Sequence, residues 1–147
     1  MSDELTNLYQ QLILDHAKHP HGRVPLDHPT ASSHQLNPTC GDEVTLGIEV
    51  AGGTITAIGW EGHGCSISQS SASLLSQLIA GVTVDDAHEY LDEFRTAMRS
   101  RGEIALDEER FGDAIALNGV SRYVARVKCA MLPWVALEHA LLDASGR

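Results

Sequence analysis

The chain is expected to fold as an α+β domain, a small three-stranded antiparallel sheet with helices packed on one face. Two observations carry this expectation. Between Val44 and Val50 apolar and polar residues alternate strictly, the mark of a strand with one buried face, and after the Gly52-Gly53 turn TITAIGW returns as its partner strand. On either side of this pair, apolar residues recur at three- and four-residue intervals, the helical period. At 147 residues the chain is long enough to close one core without covalent staples, so 1–147 reads as a single domain.

The elements follow in order. Leu5, Leu8, Tyr9, Leu12 and Ile13 form a helical stripe that Pro20 and Gly22 end. A polar, proline-bearing loop then leads to a short edge strand near Ser33 to Leu36. Val44, Leu46, Ile48 and Val50 give the first long strand one buried face, Ala51-Gly52-Gly53 turns the chain, and TITAIGW returns beside it. Beyond Gly64 the period changes: Ile67, Leu74, Leu75, Leu78 and Ile79 make one stripe, which Gly81 ends. Thr83 and Asp86 form a capping box for a helix whose apolar side is Val84, Ala87, Leu91, Phe94 and Met98. Residues from Ser100 to Val120 are acidic and glycine-punctuated, an inserted excursion with at most short helices. Tyr123, Val127, Ala130, Trp134, Leu137 and Leu141 mark a closing helix, with a kink or restart expected at Pro133 because proline cannot donate to the carbonyl of Cys129.

Composition excludes several function classes. The formal charge of −10 argues against a nucleic-acid surface, which draws on clustered Lys and Arg. The opening MSDELTNLYQQ has no basic, apolar leader pattern, and no apolar run has bilayer-spanning length, so a cytoplasmic location and no membrane partner are expected. Three cysteines, odd in number and far apart, make no disulfide framework. They are buried structural thiols, nucleophiles or metal ligands.

Their settings favour chemistry. In NPTCGDEV, Cys40 and Asp42 stand two apart, so on an extended segment both point to the same side as Val44 and Leu46. Cys65 immediately precedes a helix, where free N–H groups favour a thiolate and Ser66 can cap. Cys129 lies early in the last helix beside Arg126 and Lys128, cations expected to lower a thiol pKa. Three thiolates and one carboxylate satisfy the tetrahedral preference of zinc, although the absence of a CxxC pair makes spacing alone a weak signal.

Together NPTCGDEV, GHGCSISQSSAS and RVKCAMLPW, in this order and after LYQQLILDHAKHP, resemble the U-type iron–sulfur cluster assembly proteins over nearly the whole chain. Within them the resemblance is to the SufU type. IscU-type scaffolds carry a histidine directly before the third cysteine, where this chain has Lys128, and SufU-type proteins carry an insertion that 100–120 matches. Pro133 stands where similar proteins have alanine or glycine, and Val124 where they often have proline. The resemblance implies a zinc-dependent sulfur acceptor served by a pyridoxal-phosphate cysteine desulfurase of the SufS type and delivering to SUF cluster-assembly components. It also implies that Cys40, Asp42, Cys65 and Cys129 bind zinc, that Cys40 receives the sulfur, and that Arg126 is a supporting positive neighbour. The alternatives are a scaffold on which a transient iron–sulfur cluster is built and handed on, and an interaction module with a structural zinc.

Other polar residues read more simply. His16, His19, His21, His28 and His34 suit solvated or helix-terminal roles, His139 a rim position, and His63 a turn or a hydrogen bond to a ligand. The serines from Ser66 to Ser76 suit close helix packing, since none has a partnered base. Trp60 and Trp134 read as core or partner-facing anchors, and Glu103, Asp107, Glu108 and Glu109 as solvated surface.

Overall fold

The computed structural model describes residues 3–145. Met1, Ser2, Gly146 and Arg147, the ends of the expected 1–147 domain, lie outside the described residues. Helix α1 (Asp3–Lys18) leads through a loop to strands β1 (Ala31–Asn37), β2 (Asp42–Ala51) and β3 (Thr54–His63), antiparallel in the order β1-β2-β3. Register pairs Ala31 with Ile48, Leu46 with Trp60 and Ile48 with Ile58, which places the alternating apolar residues of all three strands on one face. Helices α2 (Ser66–Ile79), α3 (Val84–Arg99), α4 (Glu108–Phe111) and α5 (Val124–Ser145) follow, with a 3-10 segment, Gly112–Arg122, before α5.

Helix α5 covers the inner face at β1 and β2, and α2 packs beside it toward β3. Between them lie Leu46, Ile48, Ile55, Trp60, Leu75, Ile79, Trp134 and Leu137, all fully buried. Phe94 of α3 stacks on Trp134 at 4.4 Å between ring centroids and 13° between planes. Both tryptophans are thus core anchors. The Thr83 side chain caps α3 by accepting from the Asp86 N–H at 3.1 Å, as the sequence pattern predicts.

Four local features add to or refine the sequence reading. The 100–120 stretch is more than an excursion, because Leu106, Phe111, Ala114, Leu117 and Val120 are buried in the main core. Helix α5 runs through Pro133 without a restart; Pro133 is itself buried against the core, where tertiary packing outweighs one missing helical hydrogen bond. His16 is helix-terminal but not solvated: it is buried, and its Nδ1 lies 2.7 Å from the Ser73 hydroxyl. The outer face of the sheet is also not bare. A Cβ on Gly59 would collide with the Val24 carbonyl, and one on Gly47 would come within 3.1 Å of Pro29, so the 22–30 loop crosses that face at this row. The same loop protects the β3 edge, where Gly22 accepts from the Trp60 N–H at 2.9 Å and Arg23 donates to the Gly62 carbonyl at 2.7 Å.

Candidate metal centre

The four expected ligands come from three places in the chain that the fold brings to one end of the sheet. Asp42 opens β2, and its side chain shares the buried face with Val44 and Leu46. Cys40 does not extend the strand backward as expected. It sits in the β1–β2 turn, and Gly41 takes φ +72°, a left-handed conformation that favours glycine. The turn still aims the thiol inward: Cys40 Sγ lies 3.6 Å from Cys129 Sγ.

Asn37, to which the sequence reading gives no role, builds this turn. Its carbonyl accepts from the N–H groups of Cys40 (3.3 Å) and Gly41 (2.9 Å), its Oδ1 accepts from the Thr39 N–H at 3.2 Å, and its Nδ2 donates to Cys40 Sγ at 3.3 Å. An Asn ahead of Pro-Thr-Cys-Gly is the available signal, since an Asx side chain at the first turn position bonds the backbone two residues on.

Cys65 is itself the N-cap of α2, in place of Ser66; its Sγ accepts from the Ser68 N–H at 3.5 Å. Its backbone N–H donates to Asp42 Oδ1 at 2.8 Å, and its thiol lies 3.6 Å from Asp42 Oδ2. Cys129, in the second turn of α5, faces both Cys40 and Asp42. Ligand atoms of Cys40, Asp42 and Cys129 lie within 4.8 Å of one another. Cys65 joins through Asp42, and its thiol, capping α2, has to turn from Ser68 to complete a fourfold set.

The charges show which partner this cluster suits. Asp42 is 0% exposed, yet among the described residues no Lys or Arg pairs with it. Buried charges in proteins are paired or bind a metal. Burial, then hydrogen bonding with Asp42 and Cys40 and the neighbouring Cys65, pushes the Cys129 thiol far above the ordinary thiol range. The expected lowering by Arg126 and Lys128 is therefore corrected: both side chains are exposed, and neither enters the surroundings that set this thiol. A divalent cation reverses the sign of these effects.

The donor set fits zinc. Tetrahedral bonds of about 2.3 Å to sulfur and about 2.0 Å to oxygen imply sulfur–sulfur edges of roughly 3.8 Å and sulfur–oxygen edges of roughly 3.5 Å. The observed 3.6 Å between Cys40 and Cys129, and 3.6 Å between Cys65 and Asp42, are close to both. Arg126 lies one turn before Cys129 and lines an open cavity of about 500 Å³ with Tyr9, Ile13, Ile67 and Tyr123. His63 stands on the opposite face of the sheet from Asp42, paired with Glu43, so it is no donor to this cluster. The buried serines of α2 bind it to its neighbours: Ser71 donates to the Ala130 carbonyl at 2.6 Å, and Ser76 to the His21 carbonyl at 2.8 Å.

Known proteins carry the same architecture. Residues 8–130 match the NifU-like N terminal domain. The chain is 38% identical to the zinc-dependent sulfurtransferase SufU of Bacillus subtilis (strain 168), over 97% of this chain and 95% of that one. It is 37% identical to the iron-sulfur cluster assembly scaffold protein IscU of Thermotoga maritima, over 91% and 92%. The crystal structure of a SUF-system scaffold protein, FiSufU, from Fervidobacterium islandicum AW-1 superposes with a TM-score of 0.81 at 35% identity, covering 88% of this chain and 93% of that one. No helix among the described residues is long and apolar enough to cross a membrane. The cysteine motifs, the three-stranded sheet under its helices and these similarities agree: the chain belongs to the NifU-like N-terminal domain family of U-type iron–sulfur assembly proteins.

Proposed function

We propose that this protein is a zinc-dependent sulfur-transfer protein of iron–sulfur cluster assembly, in which Cys40, Asp42, Cys65 and Cys129 hold zinc and Cys40 accepts sulfur. The observation that carries the reading is Asp42, a fully buried carboxylate gathered with the Cys40 and Cys129 thiols, touched by the Cys65 thiol, and given no Lys or Arg partner among the described residues. Similarity to a protein named a zinc-dependent sulfurtransferase supports it. Zinc bound by this set would hold the thiols deprotonated at neutral pH.

The four residues divide the work by their settings. Asp42 is fixed on β2, Cys129 is buried on α5, and Cys65 is held at the start of α2. Cys40 is exposed and rides on a turn, so it alone can move outward at little cost. The donor is the persulfide of a SufS-type, pyridoxal-phosphate cysteine desulfurase. Cys40 Sγ attacks its outer sulfur as a thiolate, the donor's S–S bond breaks, and the donor cysteine leaves as a thiolate while Cys40 keeps the transferred sulfur. That sulfur passes on to SUF cluster-assembly components. Arg126, exposed one turn from Cys129, supplies positive charge to the approaching sulfur anion. The acting unit is one domain in the cytoplasm, with the 100–120 insertion built into its core through Phe111 and Leu117.

A second reading, a scaffold that builds and releases an iron–sulfur cluster, draws on the similarity to a protein named a scaffold. Lys128 before Cys129, where scaffolds of that type carry histidine, weighs against it. The test mixes the protein with a cysteine desulfurase and labelled cysteine. Wild type should acquire labelled sulfur and Cys40→Ser should not, while keeping part of its zinc. Labelling of Cys40→Ser at the normal rate would refute the assignment, and a transferable iron–sulfur chromophore would favour the scaffold.

A further inference from the structure

Cys40 is the exposed member of the thiol cluster, and one buried side chain ties it to the sheet. Asn37 ends β1, pairs in register with Asp42 at the start of β2, and is 8% exposed. Between this pair the chain turns through Pro38, Thr39, Cys40 and Gly41. Asn37 and Asp42 are therefore the fixed ends of the turn that carries the thiol.

The orientation of the Asn37 amide follows from its partners. The Thr39 N–H can only donate, so the oxygen Oδ1 faces it at 3.2 Å, and the nitrogen Nδ2 is left to donate to Cys40 Sγ at 3.3 Å. Cys40 Sγ thus has two neighbours, the Asn37 amide and Cys129 Sγ at 3.6 Å. The other two thiols are held differently: Cys129 is buried on α5, and Cys65 accepts the Ser68 N–H of its own helix. A hydrogen bond to an ionised sulfur is stronger than one between neutral groups, and a neutral amide N–H supplies it without competing for a metal. Because Asn37 is buried, a Cys40 thiol that swings out to solvent leaves this donor behind.

We propose, on the reading that Cys40 is both metal ligand and sulfur acceptor, that Asn37 is a positioning residue for that thiol. Its amide N–H holds Cys40 Sγ in the cluster between encounters with a sulfur donor and sets how readily this one ligand is released. The tether shields the acceptor from stray electrophiles, and a docking donor has to break it.

The test uses the full, zinc-loaded chain and two substitutions that keep the turn. Asn37→Ser retains a hydroxyl that accepts from the Thr39 N–H, and Asn37→Asp retains the shape and the Oδ1 acceptor; both remove the donor to sulfur. Iodoacetamide labelling is followed by mass spectrometry of glutamate-cleaved peptides, which separate the three cysteines. Cys40 should be labelled about tenfold faster in both variants than in wild type, with Cys65 and Cys129 unchanged. Zinc affinity, by competition with a chelator, should fall about tenfold. In a Cys40→Ala background Asn37→Ser should change zinc affinity by less than about twofold, because the sulfur through which the amide acts is gone. A merely structural role would persist there. Wild-type labelling of Cys40 in both variants, faster labelling of all three cysteines alike, or an undiminished effect in the Cys40→Ala background would overturn the assignment of Asn37 alone. Labelling of wild-type Cys40 at one rate with and without zinc would instead refute Cys40 as a metal ligand, and this proposal with it.

Discussion

Replacing Gly64 by alanine should damage the metal centre although residue 64 supplies no ligand. Gly64 has φ +148°, a conformation side chains rarely adopt. A Cβ there would strike Asp42 Oδ1 and stand 2.9 Å from Asp42 Cα. The carboxylate must move, which breaks its 2.8 Å hydrogen bond from the Cys65 N–H. Backbone strain of this kind costs about 1–3 kcal/mol, and a hydrogen bond to a charged group contributes about 1.5–3 kcal/mol. Together they give a loss of about 2.5–6 kcal/mol in urea unfolding of the metal-free protein. Misplacing Asp42 should also weaken zinc about 10- to 100-fold, judged by competition with a chromophoric chelator. Gly41→Ala is the control. Gly41 has φ +72° but a Cβ added there would meet nothing within 4 Å, so only the left-handed cost of about 1–2 kcal/mol remains and zinc should stay bound. Equal effects of the two substitutions, or wild-type zinc affinity in Gly64→Ala, would refute the reasoning.

Three further outcomes are expected. Arg126→Ala should slow sulfur acceptance about 3- to 10-fold, from loss of about 1 kcal/mol of electrostatic support, with zinc content unchanged; a fall in zinc content would show that Arg126 acts on the metal centre instead. Burial, then the neighbouring His21, holds the His16 imidazole below its ordinary value of 6.5. The unfolded chain therefore takes up the proton first, and the stability from neutral His16 is full above pH 6.5 and is lost as pH falls toward the lowered folded value. Urea midpoints measured from about pH 7.5 to about pH 5.5 should fall more steeply for wild type than for His16→Gln, and parallel curves would contradict this. Phe94→Ala removes the ring stacked on Trp134 and should cost about 3–5 kcal/mol in the same assay; a loss under about 1 kcal/mol would mean the core refills the space.

Periodicity makes the framework legible. Val44, Leu46 and Ile48 mark the buried face of β2, and Thr83 with Asp86 marks the start of α3, because these signals lie within a few residues of one another. The insertion escapes such reading because its apolar residues, Leu106, Phe111, Leu117 and Val120, are spread over a loop, the four-residue α4 and a 3-10 segment, so that no single period runs through them. At the metal centre, Asp42 and Cys129 are readable as ligand types, but their meeting depends on α5 lying across β1 and β2, a non-local fact. The contribution of Asn37, the cap formed by Cys65 itself, and the upward shift of the Cys129 thiol all arise from contacts that only folding creates. Along the chain Cys129 is flanked by cations, whereas in space its neighbours are a carboxylate and two other thiols.

The proposed chemistry requires one cation gathering three sulfurs and an oxygen. X-ray absorption at the zinc edge of the purified protein measures this directly. A shell of three sulfurs near about 2.3 Å and one light atom near about 2.0 Å is predicted. A shell of nitrogen and oxygen alone would contradict it.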